Sequence, residues 1–421
     1  MYHTEFDPIK AVCGIDIGTC NSTAVLFDGE TSRIIHHHQQ NSMPSIYAID
    51  EDGNRLIGKL AKSYLQFPEN CCYETKRFFR MPYDEYQSQK FNYPFKVVPD
   101  ENQKAAIELE PSKGNRIIVK PQDVAKLIID TFLQSSKSEY GFEPENIVLT
   151  CPVEFDEGKK NLLKGINSKI IDIIPEPQAA AISYLSTNMI YEDTNLLLFD
   201  FGAGTLDISI VRGNYTDLKN LKIISNVGMR LGGVDIDNCF AHYLMENYLK
   251  DQGEINFTKL VKKCSKAKKS LSLNQATTIV IGNRYISISQ EEYVNLMKMK
   301  NGIYEKCINL IDDALKEAKM SVDDISHVGF IGGSTQSVGL MEEVRQKFQN
   351  LRQPPSIHDR VTAVATGAAM FGSLINHPPT PKVDQTKEDN SKQHQDPKTI
   401  SEEDRTENAN PKEEKCCCLI L

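Results

Sequence analysis

Apolar runs in the chain are short and several end in clusters of glycine and threonine. Residues 11–19, from Ala11 through Asp16 to Thr19, and residues 23–29, from Thr23 to Gly29, predict two strands joined by a glycine- and threonine-rich turn. The same pattern returns where Leu196, Leu197, Leu198 and Phe199 lead into Asp200, Gly202, Ala203, Gly204 and Thr205, followed by a second apolar run from Leu206 to Val211. Asp16 and Asp200 stand about 184 residues apart, too far for a solenoid repeat, so the two hairpins predict related halves of one molecule, each presenting a turn to a shared cleft. Asn146–Thr150 reads as a buried strand, Glu157–Ile166 as a helix, and His327–Ser334 as a strand running into glycines before a helix over Val338–Phe348. Helical patterns over Asp235–Leu249 and Phe257–Leu271 complete an alternation that predicts an α/β fold.

That alternation stops near residue 376. From Asn376 to Lys415 there is hardly an aliphatic residue, so this stretch cannot bury enough surface to offset chain entropy and is expected to be a disordered polar tail. The last six residues, Cys416 to Leu421, turn apolar again.

Composition narrows the function classes. With 40% apolar and 25% charged residues in 421, the body is of ordinary globular type. A net charge of −9 supplies no general basic surface, so nucleic acid is not an expected partner. The polar start, Met1 to Lys10, lacks a signal-type apolar core, which predicts a cytosolic chain whose 11 cysteines stay reduced. The run His36, His37, His38 has two readings, a metal site or solvated surface between a strand and a turn.

Five motifs carry candidate chemistry. In Gly14–Ser22, glycines let backbone amides approach phosphate oxygens, Thr19 and Ser22 add hydroxyls, and Asp16 suits Mg2+ held through its waters. Asp200–Asp207 repeats this logic, so two turns could grip phosphates with two carboxylates between them. Neither turn fits the glycine-lysine-serine phosphate loop or the dinucleotide fingerprint, since the glycines open a hairpin rather than a helix. In Ile173–Ala181 the prolines at 175 and 177 fix Glu176 at a helix start aimed into a cleft. The glycine pairs Gly232–Gly233 and Gly332–Gly333, the second followed by Ser334, precede helices and predict free backbone amides for a phosphate or a base.

Taken in order, these motifs resemble the nucleotide-binding domain of the heat-shock-protein-seventy (DnaK-like) family over about residues 11–375. Asn41–Ser45, Thr75–Phe79, Leu149–Phe155, Cys264–Ser272 and Thr366–Ala369 belong to the same resemblance. It implies an actin-like ATPase fold of two lobes, each with a central mixed sheet and flanking helices, closing over ATP or ADP with Mg2+, with K+ as an accompanying ion. Lobe I would span 1–195 with a small subdomain at about 50–120; lobe II would span 196–376 with a helical subdomain at about 232–320; 377–415 would be tail and 416–421 a lipidation signal. The resemblance implies that Gly18, Thr19, Cys20, Gly202, Ala203, Gly204 and Thr205 hold phosphates and that Asp16 and Asp200 anchor hydrated Mg2+. Lys76 would reach the γ-phosphate, while Glu176, Thr205 and Asp207 position the attacking water. Gly232, Gly233, Lys268, Lys269, Ser272, Gly332, Gly333 and Ser334 would bound the nucleotide elsewhere, with co-chaperones as implied protein partners.

The sequence departs from that family in places. Ser265 and Lys269 stand where Glu and Arg are usual, and Gln336 where Arg is usual, which predicts weaker or less selective purine binding because Lys stacks on a base less well than Arg. Ala203 replaces the middle of three glycines, which predicts slowed hydrolysis. The family's leucine-rich linker and peptide-binding β-domain do not follow residue 376, so an ATPase unit without a peptide clamp is expected. Cys418–Leu421 fits a prenylation signal, with Cys416 and Cys417 as palmitate acceptors, which predicts a lipid anchor on the cytosolic face of a membrane. The rivals are a non-catalytic nucleotide-binding scaffold regulating full-length chaperones and a small-molecule kinase of the same broad fold.

Overall fold

The computed structural model describes residues 5–89, 93–251, 255–300, 302–351, 356–357 and 359–377. Nearly all of the polar tail and the terminal cysteines Cys416, Cys417 and Cys418 lie outside the described residues.

Two mixed sheets repeat one pattern. In the first, the strand Val12–Asp16 pairs antiparallel with its hairpin partner Asn21–Phe27 and parallel with Asn146–Cys151, beyond which lies Ile170–Pro175. In the second, Thr194–Phe201 pairs antiparallel with Leu206–Gly213 and parallel with His327–Ile331. Both central strands are buried on both faces, which accounts for their continuous apolar runs rather than an alternation. Three smaller sheets surround them, among them the hairpin of Ala276–Ile281 and Arg284–Ser289.

Two helices pack together where the sheets meet. Glu176–Thr187 touches strands of both sheets, and Ala363–Asn376, which follows the second in sequence, packs on Val12–Asp16, Asn21–Phe27 and Asn146–Cys151. This packing depends on close approach. A Cβ at Gly14 would collide with the Ala365 carbonyl, and one at Gly367 with the Ala179 carbonyl, so alanine at either would force the helices apart. One core cluster joins the halves here, with Val12, Val148, Ala179, Leu198 and Ala368 in common contact, each larger aliphatic contributing about 1.5–3 kcal/mol on burial.

Helix ends follow local chemistry. Pro175 precedes the helix Glu176–Thr187 and Pro177 sits in its first turn, where the missing amide hydrogen costs nothing. The helix over Phe257–Leu271 has the bounds its pattern predicts, capped by Asn256 accepting from the Lys259 amide at 2.9 Å. Two predicted helices are shorter than read. The first stops at Lys164, with Gly165 at its end, and the second starts at Leu340 because Gly339 takes φ of 86°.

Candidate functional site

Sheet register brings the hairpin turns to one place. Asp16 ends its strand opposite Thr23, and Asp200 stands opposite Asp207 in the second hairpin and beside Ile331 in the parallel neighbour. A cavity of about 300 Å³ opens between them, with Thr19, Lys76, Glu176, Asp200, Thr205 and Asp207 in its walls.

Electrostatics at this point are dominated by burial of like charge. Burial pushes Asp16 up to about 6, Glu176 adding to the effect while Lys76 and a hydrogen bond from Thr150 oppose it. Asp200 is held well above the ordinary carboxylate range by burial and then by Asp207, Glu176 and Asp16. Asp207 rises to about 6 by burial and the nearby Glu176, against the Thr205 hydroxyl bonded to it and against Lys76. The Lys76 ammonium lies against Glu176 Oε1 in an ion pair with side chains 11% and 28% exposed. Burial works against the Lys76 charge, yet Glu176 and Asp16 outweigh it and raise its pKa.

This donor set fits a hydrated divalent cation. Asp16, Asp200, Asp207 and Glu176 carry more negative charge than Lys76 neutralises, a surplus that a bound cation relieves. Among the described residues no group of three ligating side chains is close enough to hold a metal directly. The same holds for His36–His38: His37 is buried and its Nε2 accepts from the Lys59 amide at 3.3 Å, while His36 Nδ1 meets Glu139 at 2.5 Å, so these rings serve local contacts.

The turns are stitched to neighbouring segments. Gly202 donates to the Thr205 carbonyl at 2.9 Å, and its own carbonyl accepts from the Gly233 amide at 3.1 Å and from Ser334 Oγ at 2.7 Å. Gly18 presents its carbonyl to Ser45 Oγ at 2.7 Å. Gly332, with φ of 83°, lies under Asp200, where a Cβ would sit 2.7 Å from Oδ1. Cys20 remains a thiol, pushed up to about 11 by burial and by Glu74 against Arg77.

Several expected donors are engaged elsewhere. Three of the four amides predicted free at the glycine pairs are engaged: Gly232 donates to Asp235 Oδ2 at 2.7 Å, Gly233 to Gly202, and Gly332 to the Arg360 carbonyl at 3.1 Å. Ser22 is fully buried and pairs with Ser45 at 2.9 Å, so it supplies no hydroxyl to the cleft. Lys268 donates to the Gly233 carbonyl at 2.7 Å and makes an ion pair with Asp237, also 2.7 Å, rather than a well-directed hydrogen bond. Burial lowers the Lys268 pKa, with Asp237 opposing. Lys269 is exposed and Ser272 Oγ bonds the Lys269 carbonyl at 2.7 Å. Of the expected site residues, Thr19, Lys76, Glu176, Asp200, Thr205 and Asp207 line the cavity, whereas Asp16, Gly18, Cys20, Gly202, Ala203, Gly204, Gly232, Gly233, Lys268, Lys269, Ser272, Gly332, Gly333 and Ser334 do not.

Other residues of the site are given no role by the motifs, although Arg77 and Thr150 lie within segments of the resemblance. Thr150 donates to Asp16 Oδ1 at 2.9 Å. Arg77, held by Glu74 at 2.8 Å, reaches toward Gly204, and Lys159 and Asn226 line the cavity. Arg77 alone was findable, being next to Lys76.

The family model described as Hsp70 protein matches residues 12–385. A heat shock cognate HSP70 protein of Trypanosoma brucei brucei is 28% identical over 390 residues, covering 87% of this chain and 56% of that relative, so the chain spans little more than half the relative's length. The match over 12–385, most of the chain, places it in one family: it belongs to the Hsp70 family.

Proposed function

We propose that this chain binds ATP and ADP with Mg2+ between its two sheets, hydrolyses ATP slowly, and serves as a chaperone-type switch whose nucleotide state alters a partner surface. The observation that carries this reading is the convergence of Asp16, Asp200, Asp207 and Glu176 around Lys76 from both halves of the chain. Membership of the Hsp70 family supports the ATP-binding, chaperone-type part.

In this reading the amides of Gly18–Cys20 and of Ala203–Thr205 cradle phosphates, with Ala203 narrowing the second turn. Lys76 reaches the γ-phosphate while Glu176 holds its ammonium in place. Asp207, buried beside Glu176, orients the attacking water. Bound Mg2+ supplies neutralisation of charge on the phosphate oxygens. The chemistry asked of the protein is thus positioning and charge stabilisation, which phosphoryl transfer requires. K+ is the accompanying ion and co-chaperones are the partner class.

Phosphate release by purified protein, compared with Asp200→Asn, tests the enzyme reading. A loss in the variant supports it, and identical background turnover would leave a non-catalytic scaffold. A dependence of ADP formation on an added polyol would favour a small-molecule kinase.

The terminal Cys418-Leu419-Ile420-Leu421 supports a lipid anchor to the cytosolic face of a membrane, Cys416 and Cys417 offering a second acyl site. Among the described residues no helix is long and apolar enough to cross a membrane. Parent and Cys418→Ser proteins are compared by membrane fractionation; equal retention of the two rules out prenylation as the anchor.

A further inference from the structure

We propose that Thr150 is a positioning residue for Asp16, fixing the orientation in which that carboxylate holds hydrated Mg2+. The inference rests on the nucleotide reading above and adds to it a residue that none of the motifs assigns.

Thr150 lies in the strand Asn146–Cys151 and is 2% exposed. That strand runs parallel to Val12–Asp16 with Leu149 opposite Ile15, a register that carries Thr150 alongside Asp16. Its hydroxyl donates to Asp16 Oδ1 at 2.9 Å. A β-branched side chain in a strand has little χ1 freedom, so the donor is held by the backbone itself. The terminal torsion of an aspartate is otherwise broad and two-fold, and nothing in its own bonding selects one carboxylate plane. The Thr150 bond selects it.

Outer-sphere grip makes that choice consequential. A carboxylate that meets an ion through water must present its oxygen at a set angle to a shell of fixed geometry. The bond also commits Oδ1 to the protein, which disfavours bidentate capture of a bare ion. A threonine whose hydroxyl merely satisfies a buried acceptor would show the same contact, so the test must separate positioning from packing.

The test uses the full chain with ADP as the probe. Calorimetric affinity for ADP is measured with saturating Mg2+ and again in EDTA for the parent, Thr150→Val and Thr150→Ser. Thr150→Val is expected to weaken ADP binding about 10-fold with Mg2+ and to leave binding in EDTA unchanged, while Thr150→Ser retains parental behaviour in both. Parental Mg2+-dependent affinity in Thr150→Val overturns the inference. So does an equal loss with and without Mg2+, or a loss in Thr150→Ser as large as in Thr150→Val. Should Thr150→Val fail to fold, Thr150→Cys, which keeps the volume and weakens the donor, carries the same comparison. A parent that binds no ADP under either condition defeats the nucleotide reading itself, a result distinct from all of these.

Discussion

Where the two hairpin turns meet, Asp16, Asp200, Asp207 and Glu176 crowd around Lys76 and repel one another. Between the helices Gly233–Tyr248 and Phe257–Leu271 a buried cation instead has a partner of its own, Lys268 pairing with Asp237 and bonding the Gly233 carbonyl. One region stores unbalanced charge that a metal and phosphates would relieve; in the other the ammonium is already paired. The contrast teaches that affinity in this chain should come mainly from the phosphates and the cation, with the base contributing little selectivity.

The sharpest way to break this comparison is Lys76→Ala. Removing the ammonium is expected to slow single-turnover hydrolysis about 10²–10³-fold while ADP affinity stays within about 3-fold, because the group acts on charge that develops in the reaction. Rapid-quench measurement checks it, and an unchanged rate would remove Lys76 from the chemistry.

Lys268→Met probes the opposite region. With both partners nearly buried, loss of the ammonium leaves Asp237 uncompensated and should cost about 3 kcal/mol of stability by urea titration. ADP affinity of the folded variant should change by less than about 3-fold. A collapse of binding without loss of stability would show that Lys268 contacts the nucleotide after all.

A smaller effect separates stored charge from paired charge. Asp207 is raised to about 6 in the folded protein, against roughly 3.9 in an unfolded chain. A raised carboxylate stabilises below the unfolded value, and that contribution is lost as pH rises through about 6. Asp207→Asn, free of nucleotide and Mg2+, should therefore be more stable than the parent at pH 7 by about 2–3 kcal/mol and show no advantage at pH 4. Equal stability at both pH values would mean the carboxylate is not strained.

Much of this arrangement is legible along the chain because it is local. Each hairpin is a contiguous stretch, and an aspartate at a strand end followed by glycines fixes where its carboxylate must go. Pro175 and Pro177 likewise mark the helix start that carries Glu176. What stayed hidden depends on distant partners. Thr150 reads as one more β-branched residue in a buried strand, and only the parallel register reveals its bond to Asp16. The glycine pairs promise free amides until Gly202, Asp235 and Arg360 take them up. The helix packing is equally nonlocal, since small residues at Gly14 and Gly367 permit a close approach without naming the element that approaches.

Calorimetric titration of the purified chain with MgADP, MgATP and their guanine counterparts tests the central claim most directly. Binding of both adenine nucleotides, weakened by EDTA and distinguished from guanine by less than about 10-fold, is the result expected of a cleft built around phosphates and a cation. Absence of binding by any adenine nucleotide at millimolar concentration would contradict it.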